Sequence, residues 1–222
     1  MSSSNKSDLH LNWASHQAAL YACQKWHYSK SLPTGKLVKI GVWEKNIFIG
    51  CVLFSRGANR HFMTPYGLTQ KDGAELTRIA LHNHKNPVSR IVAIAIKFLK
   101  QKCPDLQLLV SYADPEEGHH GGIYQAGNWI YTGVSGSILK YWYKNKWTHQ
   151  RSLWSLIQKK PDFVKTLKTH KTEPKHTYLM PLTSQMREKA LSLAKPYPMR
   201  LKQVQVSTPD TNGGAAPTQT LQ

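Results

Sequence analysis

The chain has 222 residues, 40% of them hydrophobic and 19% charged, with 30 Lys/Arg against 12 Asp/Glu and a formal charge of +18. That length suffices for one folded core with extensions, and the charge excess points to a polyanionic partner whose counterions are released on binding. No apolar run approaches the roughly 20 residues of a membrane span, and the opening MSSSNKSDLHLNW has no apolar secretory core, so a cytoplasmic protein without a membrane partner is expected.

In chain order, residues 15–28 place Ala18, Ala19, Ala22, Cys23 and Trp26 on one helical face behind a Ser15 cap. Residues 37–44 and 46–54 are rich in Val, Ile, Phe and Trp and meet at Lys45-Asn46, which predicts a hairpin. A loop-rich stretch, 55–73, leads to a strand over 74–81. Pro87 then suits the first turn of a helix over 88–102, with lysines gathered at its C-terminus. Residues 107–112 read as a buried parallel strand, 123–128 as a short helix, and 129–133 and 137–143 as two further strands. The order predicts a mixed α/β sheet with helices packed on it.

After residue 144 the character changes. Residues 145–202 carry 13 Lys/Arg against three Asp/Glu, a net +10. The expected organisation is a catalytic core over 1–144, a basic nucleic-acid-binding appendage over 145–204 and a disordered tail over 205–222. Within the appendage, 151–157 has helical spacing, 175–182 reads as an edge strand ended by proline, and 183–194 as a capped helix. Cys23, Cys51 and Cys103 are odd in number and far apart, which fits reduced core thiols.

Chemistry concentrates where the strand 107–112 ends. Ser111, Asp114, Glu116, Glu117, His119 and His120 fall within ten residues, and Gly121, Gly122 and Tyr124 follow at once. Sites in parallel α/β sheets gather beyond the carboxyl ends of strands. A carboxylate or imidazole would serve as general base, Tyr124 as general acid and the glycine amides as donors to an oxyanion. Two other readings stand beside this one: a solvated turn, and a metal site through His119 and His120, with iron the leading ion.

Three more clusters stand out. Trp26-His27-Tyr28-Ser29-Lys30 mixes rings, an imidazole and a cation, as a pocket for an extruded base requires. Arg78 and the segment His82 to Arg90 bring Lys85, Ser89 and Arg90 to a helix N-terminus, where an anionic donor would bind. Trp142, Tyr143, Lys144, Lys146, Trp147, His149, Arg151 and Trp154 interleave rings with cations, a pattern suited to bases and phosphates.

The strand, glycine pair and IYQAGNW resemble the last third of the GNAT acyltransferase fold, in which a short helix carrying a tyrosine follows a splayed strand. The longer strings KWHYSKSLP, FIGCVLFSRGAN, PYGL, ELTRIAL, NPVSRIVAIAIK and SYADPEEGHHGGIYQAGNWIYTG resemble the Mom family of Mu-like phages over residues 20–200. The resemblance implies conversion of the adenine N6 amine in phage DNA to a carbamoylmethyl group, which shields the DNA from host restriction endonucleases. It implies action in the host cytoplasm on double-stranded DNA with a flipped adenine, and a site of His27, Tyr28, Tyr66, Arg78, Asp114 and Tyr124. The GNAT loop Gln-x-x-Gly-x-Gly/Ala, which receives the pyrophosphate of acetyl-CoA, corresponds here to HNHKNPVSR without its glycines. The donor is therefore open between acetyl-CoA and an aminoacyl-tRNA, with glycyl-tRNA supplying two carbons and a nitrogen. The competing expectations are a non-catalytic DNA-binding anti-restriction protein and an acetyltransferase acting on protein or a small amine.

Overall fold

In the computed structural model, which describes residues 8–57 and 59–199, the chain opens on a strand that the sequence reading passed over. Strand β1 (Leu9–Trp13) buries Leu9 and Leu11, leaves His10 and Asn12 outside, and pairs antiparallel with β2 (Leu37–Glu44). Five residues with polar neighbours give too short an alternation to stand out without its partner. Between them, helix α1 (His16–Trp26) starts where the Ser15 side chain accepts the Ala18 N–H at 3.1 Å, and it buries Ala19, Ala22 and Cys23.

The expected hairpin joins β2 to β3 (Ile47–Ser55), and its turn residues Lys45 and Asn46 have φ of 49° and 64°. Two consecutive left-handed residues match the right-handed twist of the strands they connect. Strand β4 (Gly73–Leu81) follows, then α2 (Val88–Lys102), which buries Ile91, Val92, Ala95 and Leu99 and carries Lys100 and Lys102 in its last turn. Strand β5 (Leu108–Ala113), helix α3 (Gly122–Ala126) and strand β6 (Ile130–Val134) come next.

Here the chain departs from the expected course. Strands β7 (Leu139–Tyr143), β8 (Lys146–His149) and β9 (Thr169–Lys171) form a separate three-stranded sheet, with helix α4 (Trp154–Lys159) between the last two. The chain then returns as β10 (His176–Pro181) and ends its described part with α5 (Ser184–Ser192), capped by the Thr183 side chain. Strand β10 is not an edge strand. It lies between β5 and β6, antiparallel to both, in a sheet ordered β1-β2-β3-β4-β5-β10-β6. Its Pro181 sits at the strand end, where a missing N–H costs the ladder little, and Thr177, Tyr178 and Leu179 are buried. The stretch read as an appendage thus supplies an interior strand of the core, and the tail expected at 205–222 lies outside the described residues.

The result is the expected mixed sheet flanked by helices. Helices α2 and α3 pack on one face over Val52, Phe54, Leu76 and Leu109. On the other face α1 covers Cys51, Leu53 and Ala80, and α5 covers Leu108, Val110 and Leu179. All three cysteines are free thiols, Cys23 and Cys51 buried together under α1. Among the described residues no helix is long and apolar enough to cross a membrane. Because Leu179 is fully buried in an interior strand, Leu179→Ala is expected to cost about 2–5 kcal/mol. Thermal unfolding should show a drop of several degrees in Tm, where an edge position would show little change.

Candidate active site

Strands β4 and β5 are the one parallel pair in the large sheet, and their ladder runs only from Gly73–Leu108 to Glu75–Val110. Beyond that rung they part. A bulge in β4 opposite Leu53 and Phe54 adds Thr77 to the strand and re-aims Arg78. Into the gap falls a cleft of about 700 Å³, a size that holds a small ligand. Its walls include His27 and Tyr28 from the end of α1, Arg78 from β4, Tyr112 from β5, and the run Gly118 to Tyr124.

The gap is spanned by a relay of hydroxyls. The Ser111 Oγ lies 2.9 Å from the Leu76 carbonyl and 2.8 Å from the Tyr124 hydroxyl. A serine has one proton to give; the carbonyl can only accept it, so the Tyr124 O–H supplies the second bond. Burial pushes the Tyr124 phenol up to about 12, against the smaller opposing effect of the Ser111 bond. It is a neutral, buried proton donor at physiological pH.

The backbone that delivers Tyr124 has little freedom. Gly121 has φ +86°, and a Cβ there would lie 2.3 to 2.5 Å from the ring and hydroxyl of Tyr178. Tyr178 in turn donates to the His120 carbonyl at 2.6 Å and accepts from Gln125 at 3.2 Å. The interior strand β10 thereby holds the turn that opens α3.

His27 is fixed by its own loop. Its Nδ1 accepts the Ser29 backbone N–H at 3.1 Å and lies 2.9 Å from the Ser29 hydroxyl. A backbone amide can only donate, so Nδ1 is unprotonated and the neutral ring carries its proton on Nε2. Burial, with Arg78, His119 and Lys30 adding to it, lowers the imidazole to about 4. His27 therefore acts as a donor in the cleft. The Tyr28 ring leans on it at 4.2 Å and meets His119 edge-on at 5.4 Å. Arg78 is pinned by one bond, from Nη1 to the Thr77 carbonyl at 2.7 Å, while its buried Nε has no partner among the described residues. A buried guanidinium N–H left open costs free energy until a ligand's acceptor reaches it.

The structure brings together His27, Tyr28, Arg78, Ser111, His119, His120 and Tyr124. Asp114 stands behind the wall: its carboxylate takes Lys175 at 2.7 Å and caps the Pro115–Glu117 turn through the Glu116 N–H. Tyr66 packs with Met63, Leu108 and Val110 beside Tyr112 and does not line the cleft. His119 and His120 do not form a metal set, since among the described residues no three His, Cys, Asp or Glu side chains converge; the donor set does not fit a resident iron.

Ahead of α2 the lining residues are His84 and Val88 rather than Lys85, Ser89 and Arg90. The Lys85 and Asn86 amides are taken by the buried Glu44 carboxylate, each at 2.9 Å, and the Asn86 side chain adds a third bond at 2.8 Å. These bonds hold the Glu44 carboxyl below the usual carboxylate range against its burial. Two of the amides expected to cradle a coenzyme diphosphate are thus satisfied from within. The sequence reading missed Tyr112, Lys175, Tyr178 and Glu44, whose parts depend on strands that meet only in the folded chain.

The model of the Mom protein family matches residues 8–199. The chain belongs to that family. Within it, a curated relative, the methylcarbamoylase Mom of Escherichia phage Mu, is 28% identical over 131 residues, 57% of this chain. The match spans about half of that relative's length, 54%. Among solved structures, this Mom-family chain is similar to YncA of Salmonella typhimurium, solved with acetyl-CoA (9% identity, TM-score 0.45, covering 80% of this chain and 95% of that one). It is also similar to the ribosomal-protein-S5-alanine acetyltransferase of Vibrio fischeri (12% identity, TM-score 0.46, 83% and 98%). Likenesses this distant assign neither donor nor acceptor.

The lowered His27 value has a consequence for stability. The unfolded chain protonates this ring near 6.5 and the folded chain only near 4, so the folded state loses stability as pH falls between those values and gains none above them. His27→Gln should flatten the pH dependence of unfolding in that window, as read by denaturant melts at several pH values. In the cleft itself, Gly121→Ala should leave the protein folded yet perturb Tyr178 and Tyr124, seen as loss of the wild-type tyrosine signals in near-ultraviolet circular dichroism.

Proposed function

We infer that this Mom-family protein transfers an activated acyl group to the N6 amine of adenine in DNA, and that the modified base carries a carbamoylmethyl group that protects phage DNA from restriction endonucleases. The observation that carries this reading is the cleft's set of donors: neutral His27, Arg78, whose buried Nε has no partner among the described residues, and the protonated Tyr124 line one cleft in the gap between β4 and β5. Such a set suits an acyl carbonyl that gains negative charge and a leaving group that needs a proton. The name of the phage Mu relative, a methylcarbamoylase, agrees with the transferred group, and the net charge of +18 agrees with a polyanionic acceptor such as DNA. A base in a duplex has to leave the stack to be reached, and Tyr28, 44% exposed beside His27, offers it a ring.

In this reading the adenine amine attacks the acyl carbon, and the bond from that carbon to the leaving oxygen or sulfur breaks. His119, on the cleft wall, takes the amine's proton, Arg78 and His27 hold the developing oxyanion, and Tyr124 gives its proton to the leaving group, the Ser111 hydroxyl then turning to donate to the phenolate oxygen. Asp114 orders the loop from its pairing with Lys175. The donor is a glycyl ester of tRNA. The first product is an N6-glycyl amide, an isomer of the N6-carbamoylmethyl group. It reaches the latter by an intramolecular rearrangement in which the glycyl amine bonds to adenine C6 as the C6–N6 bond breaks, so a glycyl group contains every atom of the product, whereas an acetyl group lacks the nitrogen.

The test is mass spectrometry of nucleosides from duplex DNA incubated with the protein and either glycyl-tRNA or acetyl-CoA. A modified adenosine with glycyl-tRNA alone is expected. No altered nucleoside with either donor would overturn the reading, and N6-acetyladenosine with acetyl-CoA would overturn the donor. Tyr124→Phe should lower the modification rate by about 10²–10⁴-fold, the usual worth of a positioned general acid, with DNA binding intact.

A further inference from the structure

Residues 139–171, placed between β6 and β10, hold nine Lys/Arg against one Asp. One face of their three-stranded sheet is packed at its centre. Tyr141 is buried, the Tyr143 ring meets Phe163 edge-on at 5.7 Å, and Leu153 of the adjoining turn is 1% exposed. The opposite face carries Lys140 and Trp142 on β7, Trp147 and His149 on β8, and His170 on β9. Its two tryptophans are cross-strand partners 5.2 Å apart, and they stay 40% and 43% exposed; Trp147 also lies 5.3 Å from His170. Paired indoles left half in water on a lysine-rich sheet match a surface that stacks bases while its cations take phosphates.

This open face abuts the candidate active site. Glu116, in the turn that Asp114 caps, accepts His170 Nε2 at 2.7 Å, the Glu173 N–H at 3.2 Å and Lys140 Nζ at 3.3 Å. Lys140 and His170 belong to the same face as the tryptophans, and Asp114 adds its pair with Lys175 just beyond β9. From Glu116 to His119 on the cleft wall is three residues, at most about 11 Å of chain.

We propose that the open face of the β7-β8-β9 sheet docks the DNA flanking the reacting base, with Trp142 and Trp147 stacking on bases unpaired by its extrusion. Glu116 acts as the positioning residue that keeps this docking face in register with the cleft. The proposal rests on DNA being the acceptor. It makes Asp114 and Glu116, two of the three carboxylates of the crowded loop, struts between two functional surfaces.

The experiment measures binding of a short fluorescein-labelled duplex with a mismatched adenine, and of tRNA, by anisotropy. Trp142→Ala with Trp147→Ala should weaken duplex binding about tenfold or more, while Trp13→Ala, at the far edge of the large sheet, binds as wild type. Lys144→Glu, in the exposed turn between β7 and β8, should weaken it and flatten its salt dependence. Glu116→Gln should hold duplex affinity within about twofold and lower kcat about tenfold without raising KM. Wild-type duplex binding in both the tryptophan and lysine variants, or loss of tRNA binding alone, would overturn the docking face. Wild-type kcat in Glu116→Gln would overturn the registering role. These binding measurements need no chemistry, so duplex binding through this face without any altered nucleoside would sink the proposed reaction and support the docking surface.

Discussion

A parallel pair of strands that stops pairing after three rungs leaves backbone groups facing one another across a widening space, and something has to satisfy them. In this chain Ser111 does so for the Leu76 carbonyl, and Tyr124 completes the chain of bonds from the far side of the gap. Had β4 and β5 continued to pair, the ladder would have taken the Leu76 carbonyl and closed the cleft. The bulge at Thr77, the re-aimed Arg78 and the glycine turn ahead of α3 are all consequences of keeping those strands apart.

The separation also sets the electrostatics. Three carboxylates around the cleft are spent on structure: Glu44 on the amides before α2, Asp114 on Lys175, Glu116 on His170 and Lys140. What remains facing the space is a guanidinium, a neutral imidazole and phenols held in their protonated forms by burial. Such a lining is rich in hydrogen-bond donors, which suits electron-rich atoms.

Much of this was legible in the sequence because the signals were local. The Ser15 cap, the Lys45-Asn46 turn, the apolar stripe of α2 and the dense run from Ser111 to Tyr124 each lie within one or two elements. What stayed hidden depends on residues far apart in the chain. Asp114 looks like a base until Lys175 is beside it. The strand 176–181 looks peripheral, with a lysine before it and a proline at its end, until its neighbours on both sides are known. Tyr66 belongs to the packing under α5, and no spacing rule tells a tyrosine that lines a cleft from one that backs it. The Mom-family strings pointed to residues that the fold gathers around one cleft, while their contacts with Lys175, Tyr178 and Glu44 followed from the fold.

The contact between Gly121 and Tyr178 reaches past this one molecule. A side chain at 121 and a large ring at 178 cannot coexist without moving the backbone that carries Tyr124, though the two positions lie in separate elements. The constraint runs one way: a smaller residue at 178 leaves Gly121 undisturbed, whereas a side chain at 121 needs both a smaller residue at 178 and a backbone that bears a positive φ. Across descendants of this chain position 121 should therefore stay glycine even where position 178 varies.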